Sequence, residues 1–121
     1  MGAEHTIDML REPTRELRRA TPEVWQAFGR LHDAALLPGA LGAGTKELIA
    51  LAIAVVKGCD GCIAHHAKAA AAHGVTRSEV AEAVGVALLM DGGPASTNGP
   101  RALAAFDEFR ARVPVEASDG G

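Results

Sequence analysis

The sequence predicts an all-α fold, and three observations lead to that prediction. Apolar residues recur at intervals of three and four in several segments, as they do along one face of a helix. No stretch alternates apolar and polar residues over a length that would predict a strand. Aromatic residues make up only 3% of the chain, so alanine, leucine and valine must form the core, which favours closely packed helices.

The bulk properties fit a single small domain. The chain has 121 residues and a net charge of −3, which gives no basic surface for nucleic acid. The longest apolar run, 48–56, is too short to span a bilayer, and the mixed charges near the N-terminus do not resemble a signal peptide. We expect a cytoplasmic protein without a nucleic-acid or membrane partner, built from an N-terminal segment (1–20), a helical domain (21–113) and a flexible tail (114–121).

Start and stop signals place the first two helices. Pro13 predicts that a short first helix, around residues 6–10, ends or kinks there. Thr21, Pro22 and Glu23 are typical of a helix start, with a hydroxyl cap, a proline in the first position and an acid in the first turn. The second helix then carries one apolar stripe, formed by Val24, Phe28, Leu31 and Ala35.

The third helix follows the break at Pro38 and Gly39. Thr45 is its predicted N-cap, and Gly58 is its predicted C-terminal breaker. Residues 48–56 are apolar on every side, a pattern typical of a helix buried in a core or at a subunit contact.

Three further helices complete the prediction of about six. Residues 59–73 are alanine-rich and end at Gly74, and Thr76 with Glu79 forms a capping box that opens the fifth helix. After the break at 92–94, a last amphipathic helix begins between residues 95 and 101. So much apolar helix surface exceeds what one small bundle buries, so we expect a homo-oligomer.

The only two cysteines, Cys59 and Cys62, form a CxxC motif with His66 four residues after the second. At a helix start the two cysteines lie one turn apart and can close into a disulfide. Unpaired N–H groups in the first helical turn stabilise a thiolate. His66 shares a face with Cys62, so the spacing indicates a reactive sulfur beside an acid–base group.

Other interpretations of the motif remain open at this point. The cysteines could be small buried residues, or they could bind zinc with His66 and either His65 or His73. A c-type haem site requires CxxCH and is excluded because residue 63 is isoleucine. A lone CxxC in a cytoplasmic protein is more often catalytic or metal-binding than structural, and a structural zinc site needs a fourth ligand that only His65 or His73 could supply, so redox chemistry is favoured.

A second acid–base candidate is Glu47, near the start of the apolar third helix. If that helix is buried, Glu47 needs a hydrogen-bonding partner, which His66 or a cysteine would supply. The alternative is a solvated carboxylate in the first helical turn. His65 points about 100° away from His66 around the helix, and the remaining histidines are interpreted as surface or structural: His5, His32 and His73.

Taken together, these segments resemble the carboxymuconolactone decarboxylase and AhpD-like alkyl hydroperoxidase superfamily. The resemblance is carried by residues 46–52, by the CxxC motif with His66 and Gly74, and by residues 82–95, and it extends from about residue 31 to 109. It implies an all-α, AhpD-like bundle that assembles as a trimer or hexamer. Some relatives have a histidine where this chain has Gly61, which implies a shorter proton relay here.

The resemblance also implies the site residues. Cys62 would attack the peroxide, Cys59 would resolve the product as a disulfide, and Glu47 with His66 would relay protons. A dithiol protein or a lipoyl group would reduce the disulfide, and no metal, haem or flavin is implied.

Two other functions stay open. Decarboxylase members of the superfamily act without a redox dithiol, and the intact cysteine pair argues against that activity here. Arg77 and Arg101 are the nearest arginines for a dicarboxylate, and both are expected to be exposed. The third possibility is a non-enzymatic redox sensor, since a sensor and a slow peroxidase need the same sulfur chemistry.

Overall fold

The computed structural model describes residues 2–113, and the predicted all-α fold is confirmed for them. No strand occurs in this part of the chain, and its six helices are α1 (Ala3–Ala20), α2 (Pro22–Leu36), α3 (Ala43–Lys57), α4 (Asp60–Ala72), α5 (Arg77–Asp91) and α6 (Gly93–Arg110). The expected flexible tail, 114–121, lies outside the described residues. No helix within residues 2–113 is both long and apolar enough to cross a membrane.

Helix α4 lies at the centre of the fold, packed against α1, α3 and α6. Four of its five buried residues are alanines, and such small side chains let neighbouring helices approach closely. The largest fully buried side chains come from the surrounding helices: Leu51, Val55, Val80 and Phe106. Burial of each of these side chains stabilises the folded chain by about 1.5–3 kcal/mol.

Several predicted helix ends are confirmed. Gly58 ends α3 in the left-handed conformation with φ of 66°, and Gly74 follows α4 with φ of 76°. Both values lie where a side chain would be strained, so glycine suits these turns. The capping box is also present, because Thr76 and Glu79 each accept the other's backbone N–H.

The predicted short first helix is wrong. Helix α1 runs from Ala3 to Ala20 and passes through Pro13 without ending. Tertiary contacts outweigh the proline's local cost of about 3 kcal/mol. Ile7 is buried in the core, and the carboxylate of Glu108 accepts the backbone N–H groups of Ala3 and Glu4 at 2.8 and 3.0 Å.

Two further helix starts differ from the prediction. Helix α3 begins at Ala43, so Thr45 lies inside it and is not its cap; the turn at Gly44 packs closely against Val75. Helix α6 begins at Gly93, ahead of the predicted interval. Pro94 fits its first turn, where a missing N–H costs nothing, and the buried Ala95 ties this turn to the core.

Helix α2 contributes no buried residue to the protomer. Its predicted apolar stripe faces away from the core, with Val24 66%, Phe28 56% and Leu31 64% exposed. Large apolar side chains are also exposed on α3 and α5, namely Ile49, Ile53, Val56, Val86, Leu89 and Met90. Within each helix these residues recur at three- and four-residue intervals and so share one face, and exposed apolar faces are typical of protein–protein contacts.

Candidate functional site

The two cysteines lie at the N-terminus of α4 and are joined by a disulfide. Cys59 is the N-cap residue, and its sulfur accepts the backbone N–H of Cys62 at 3.2 Å. Their Cα atoms are 5.2 Å apart, within the range that a disulfide requires. Cys62 is exposed and Cys59 is half-buried, so the bond can be reached from solvent on the Cys62 side.

Glu47 is the one buried charged residue in the described part of the chain, with 4% of its surface exposed. Because α3 begins at Ala43, Glu47 lies in the second helical turn and is not a solvated first-turn carboxylate. Its Oε1 lies 2.7 Å from Nδ1 of His66. A buried carboxylate is costly without such a partner, so this contact fixes both side chains.

His66 therefore connects α3 to the helix that carries the cysteines. It lies four residues after Cys62, on the same face of α4. Since Nδ1 is held by Glu47, Nε2 is the ring nitrogen that can exchange a proton with another group. The structure thus joins the buried carboxylate to the imidazole, and the helix that carries this imidazole begins at the cysteine pair.

The turn before Cys59 is held by a residue that the sequence analysis did not identify. Nδ2 of Asn98, on α6, donates to the carbonyl of Val55 at 3.3 Å. A Cβ on Gly58 would lie 3.2 Å from that same nitrogen. Asn98 thus supports the turn that leads into Cys59, and no local sequence pattern indicates a contact 43 residues away.

The charge of Asp60, between the cysteines, is partly balanced. Its Oδ1 lies 3.3 Å from Nη1 of Arg101. Both side chains are more than half exposed, so the pair has a small effect on stability. As expected, Arg77 is also exposed, and it forms an ion pair with Asp107.

His65 faces a different part of the fold from His66. It lines a cleft against α1 together with Ile7, Leu10, Arg11, Thr14, Arg15 and Arg18. Burial lowers the pKa of His65, and the nearby charges of His66, Lys68 and His32 lower it further. At the next position of the motif, a Cβ on Gly61 would come within 2.8 Å of the Leu10 side chain, so α1 packs directly against the CxxC segment.

His32, interpreted from sequence as surface or structural, lies beside the site. Its ring centroid is 6.3 Å from that of His66, and the two ring planes differ by 25°. His5 and His73 are exposed. Within residues 2–113 no three histidine, cysteine or acidic side chains are grouped as metal ligands.

Comparisons with known proteins identify a family and structures with a similar fold. Residues 22–108 match the model of the carboxymuconolactone decarboxylase family. The crystal structure of an apo family protein from Legionella pneumophila superposes with a TM-score of 0.86 at 39% identity, covering 89% of this chain and 96% of that one. A Thermotoga maritima family protein, for which a part in antioxidative response has been suggested, gives a TM-score of 0.74 at 30% identity, covering 87% and 89%.

Sequence relatives cover a similar region. An uncharacterised protein from Cupriavidus necator is 42% identical over 95 residues, which is 78% of this chain and 84% of that protein. A protein of the cox locus in Paracoccus denitrificans is 40% identical over 94 residues, 78% of this chain and 85% of that protein.

Proposed function

This chain belongs to the carboxymuconolactone decarboxylase family, and we propose that it acts as a thiol-dependent alkyl hydroperoxidase or disulfide reductase. One observation carries the proposal: the paired cysteines and His66 share α4, and His66 is held by the buried Glu47. The suggested antioxidative part of the Thermotoga maritima relative points in the same direction.

The proposed reaction begins at Cys62, the more exposed cysteine. Its thiolate attacks the peroxide, the O–O bond breaks, and the sulfur is oxidised to a sulfenic acid while the leaving oxygen takes a proton and departs as alcohol or water. The Cys59 sulfur then attacks the sulfenic acid, forming the disulfide and releasing water. The sum is two thiols and one hydroperoxide giving one disulfide, one alcohol and one water.

Glu47 and His66 serve this reaction as a proton relay. The thiol proton must leave before attack, and the departing oxygen must receive one. A histidine accepts and returns protons near neutral pH, and the carboxylate on Nδ1 orients the ring so that Nε2 is left to exchange the proton. No step needs a proton source beyond the two thiols.

The proposal includes partners. A dithiol protein or lipoyl group reduces the disulfide by exchange at the exposed Cys62, in the reducing cytoplasm. The exposed apolar faces of α2, α3 and α5 support a homo-oligomer, a trimer or a hexamer.

Turnover of two cysteine variants tests the proposal. With an alkyl hydroperoxide and a dithiol reductant, Cys62→Ser should abolish turnover because the attacking sulfur is gone. With the dithiol left out, so that no external thiol can condense with the sulfenic acid, Cys59→Ser should complete one peroxide reduction and stop at the sulfenic acid, detected by a sulfenate-specific probe. Wild-type turnover by both variants would contradict the assigned mechanism.

The same assay separates the other candidates. A redox sensor would form the disulfide once without a reductant, and with an added dithiol it would consume peroxide far more slowly than a peroxidase. A decarboxylase would leave its thiols reduced in peroxide and would consume a carboxylated muconolactone instead.

A further inference from the structure

The cleft that His65 lines lies between α1 and α4, and its position and chemistry suit a ligand. Its volume is about 410 Å³, a size typical of small-molecule sites. Helix α1 forms one wall, and His65 forms part of the other. Because α1 precedes residues 22–108, the α1 wall lies outside the region that matches the family model.

The direction of α1 brings its second half past the cysteine pair. Glu4 and Lys68 line one cleft toward the end of α4, whereas Leu10 lies against Gly61 at the start of α4. Helix α1 therefore runs antiparallel to α4. The residues of α1 that follow Leu10 extend beyond the start of α4, where the two cysteines lie.

Cys62 lies at the edge of this cleft. It directly follows Gly61, the residue in contact with Leu10, and it precedes His65 by three residues. Residues three apart are neighbours on a helix surface, and helical side chains lean toward the N-terminus. His65 therefore leans toward the end of α4 that carries the exposed Cys62.

Three arginines of α1 line the cleft at four- and three-residue intervals: Arg11, Arg15 and Arg18. Nη2 of Arg11 lies 3.0 Å from Oδ1 of Asp8, and Nη1 of Arg15 lies 3.2 Å from Oε2 of Glu12. Among residues 2–113, no carboxylate forms an ion pair with Arg18. Arg18 is therefore the cation that can bind an anion from solution.

The part of the cleft nearer to Cys62 is apolar. Leu10 is 40% exposed there, beside Ile7 and the aliphatic stems of the arginines. Arg18 lies eight residues after Leu10, which is about 12 Å along the axis of α1. A complementary ligand is an apolar chain with an anionic group at the end away from Cys62.

We propose that this cleft selects hydroperoxides of long-chain carboxylic acids, with the carboxylate on Arg18, the chain over Leu10 and the peroxide at Cys62. The inference rests on the proposed peroxidase function, since the ligand reacts only at Cys62. The O–O bond breaks, and the sulfur keeps the terminal oxygen as a sulfenic acid. The other oxygen takes the thiol proton, so the product leaves as a hydroxy acid, and Cys59 then forms the disulfide and releases water.

Two forms of one hydroperoxide test the inference. Linoleic acid hydroperoxide and its methyl ester differ only in the charge of the carboxyl group. With the pre-reduced full-length protein, below the micelle concentration, stopped-flow measurement of free thiols should show the acid reacting about tenfold faster than the ester. Arg18→Gln should bring the acid-to-ester rate ratio close to one.

Arg19→Gln is the matched control, because Arg19 is the next residue of α1, pairs with Glu16 at 3.0 Å and does not line the cleft. This variant should keep the wild-type rate ratio. The ratio is the readout because general damage to the protein slows both compounds alike. A wild-type ratio near one, or the same loss of the ratio in both variants, would overturn the inference.

Binding of the hydroxy acid tests the cleft without the peroxidase reaction. This product of linoleic acid hydroperoxide has no O–O bond, and calorimetry would measure its binding to the oxidised protein. Arg18→Gln should weaken binding about tenfold, and Arg19→Gln should leave it unchanged. Such binding without peroxide consumption would refute the peroxidase function alone. Peroxide consumption without hydroxy-acid binding would refute the role of the cleft alone.

Discussion

Helices α4 and α2 are similar in length and differ in how they are packed. Helix α4 has 13 residues, five of them buried, and four of those five are alanines. Helix α2 has 15 residues and larger apolar side chains, including Trp25, Phe28 and Leu31, yet none of its residues is buried. The helix with the smaller side chains is the one that forms the centre of the protomer.

This difference shows that an apolar stripe predicts that a helix face is covered. The stripe does not predict whether another helix of the same chain or another subunit covers it. Small residues on α4 let three neighbouring helices approach closely, so the short side chains on its inner face are buried. Among residues 2–113, no helix covers the bulky stripe on α2 in this way. Helix α4 therefore belongs to the core of the chain, and the proposed homo-oligomer would use the exposed stripe of α2 as a contact between subunits.

Two phenylalanine truncations should separate these assignments most strongly. Phe106→Ala removes a fully buried ring next to α4 and should lower the free energy of unfolding by about 3–5 kcal/mol. Phe28→Ala, at a position 56% exposed, should change the stability of the isolated protomer by less than about 0.5 kcal/mol. Urea unfolding at low protein concentration measures both.

The same Phe28→Ala variant should weaken self-association, which sedimentation velocity would detect as a shift toward smaller species. An equal, concentration-independent loss of stability in both variants would refute the assignment of α2 to a subunit contact.

The buried acid should matter more for rate than for folding. Glu47→Gln keeps a side chain that can hydrogen-bond to His66 but removes the charge, and we expect the rate of thiol oxidation by peroxide to fall about 100-fold. Glu23→Gln makes the same change at an exposed position on α2 and should leave the rate unchanged. Stopped-flow measurement of free thiols gives both rates, and equal rates would remove Glu47 from the relay.

Loss of the hydrogen bonds between Lys46 and the end of α2 should make α2 open locally more often and leave the opening of α4 unchanged. Lys46→Met removes the two hydrogen bonds from Nζ to the carbonyls of Ala35 and Leu37, at the end of α2. We expect this loss to lower the free energy of local opening of α2 by about 1 kcal/mol. Amide hydrogen exchange in α2 should then accelerate about fivefold. Equal acceleration in α4 would show that the two helices open as one unit.

The smallest expected effect concerns pH and the cap of α1. Backbone hydrogen bonds, first that of Glu4, lower the pKa of Glu108 from its ordinary value of 4.5, and Ala3 and Arg112 add to this effect. A lowered pKa means that the carboxylate stabilises the fold above pH 4.5 and that this contribution disappears as the pH falls through the lowered pKa.

Glu108→Gln should therefore cost at most about 0.5 kcal/mol at neutral pH, because solvent screens the group. The difference from wild type should vanish in acid. Acid-unfolding curves measure it, with Glu82→Gln on α5 as the exposed control. A difference that persists below the transition would contradict the charge-based account.

Much of the fold could be predicted because its signals are local. Helix ends are signalled by Gly58 and Gly74, and a helix start is signalled by the Thr76 capping box. Each signal involves only a few neighbouring residues, and the structure has all three where the sequence predicts them. The Glu47–His66 contact could be anticipated for a different reason: a carboxylate in a buried helix needs a partner, and few candidates lie nearby in sequence.

The errors arose where distant parts of the chain decide local structure. Helix α1 continues through Pro13, and its first turn is capped by Glu108, a residue 104 to 105 positions away in the sequence. His32 and Asn98 reach the site only through the packing of α2 and α6. Side chains that meet through tertiary packing leave no spacing pattern in the sequence.

The most direct test of the central claim is a single-turnover reaction of the pre-reduced protein with excess alkyl hydroperoxide under anaerobic conditions. Peroxide consumed and free thiols remaining would be measured in parallel. The account predicts fast loss of both thiols, Cys59 and Cys62, with one peroxide consumed per chain. Thiols that stay reduced in excess peroxide would contradict it.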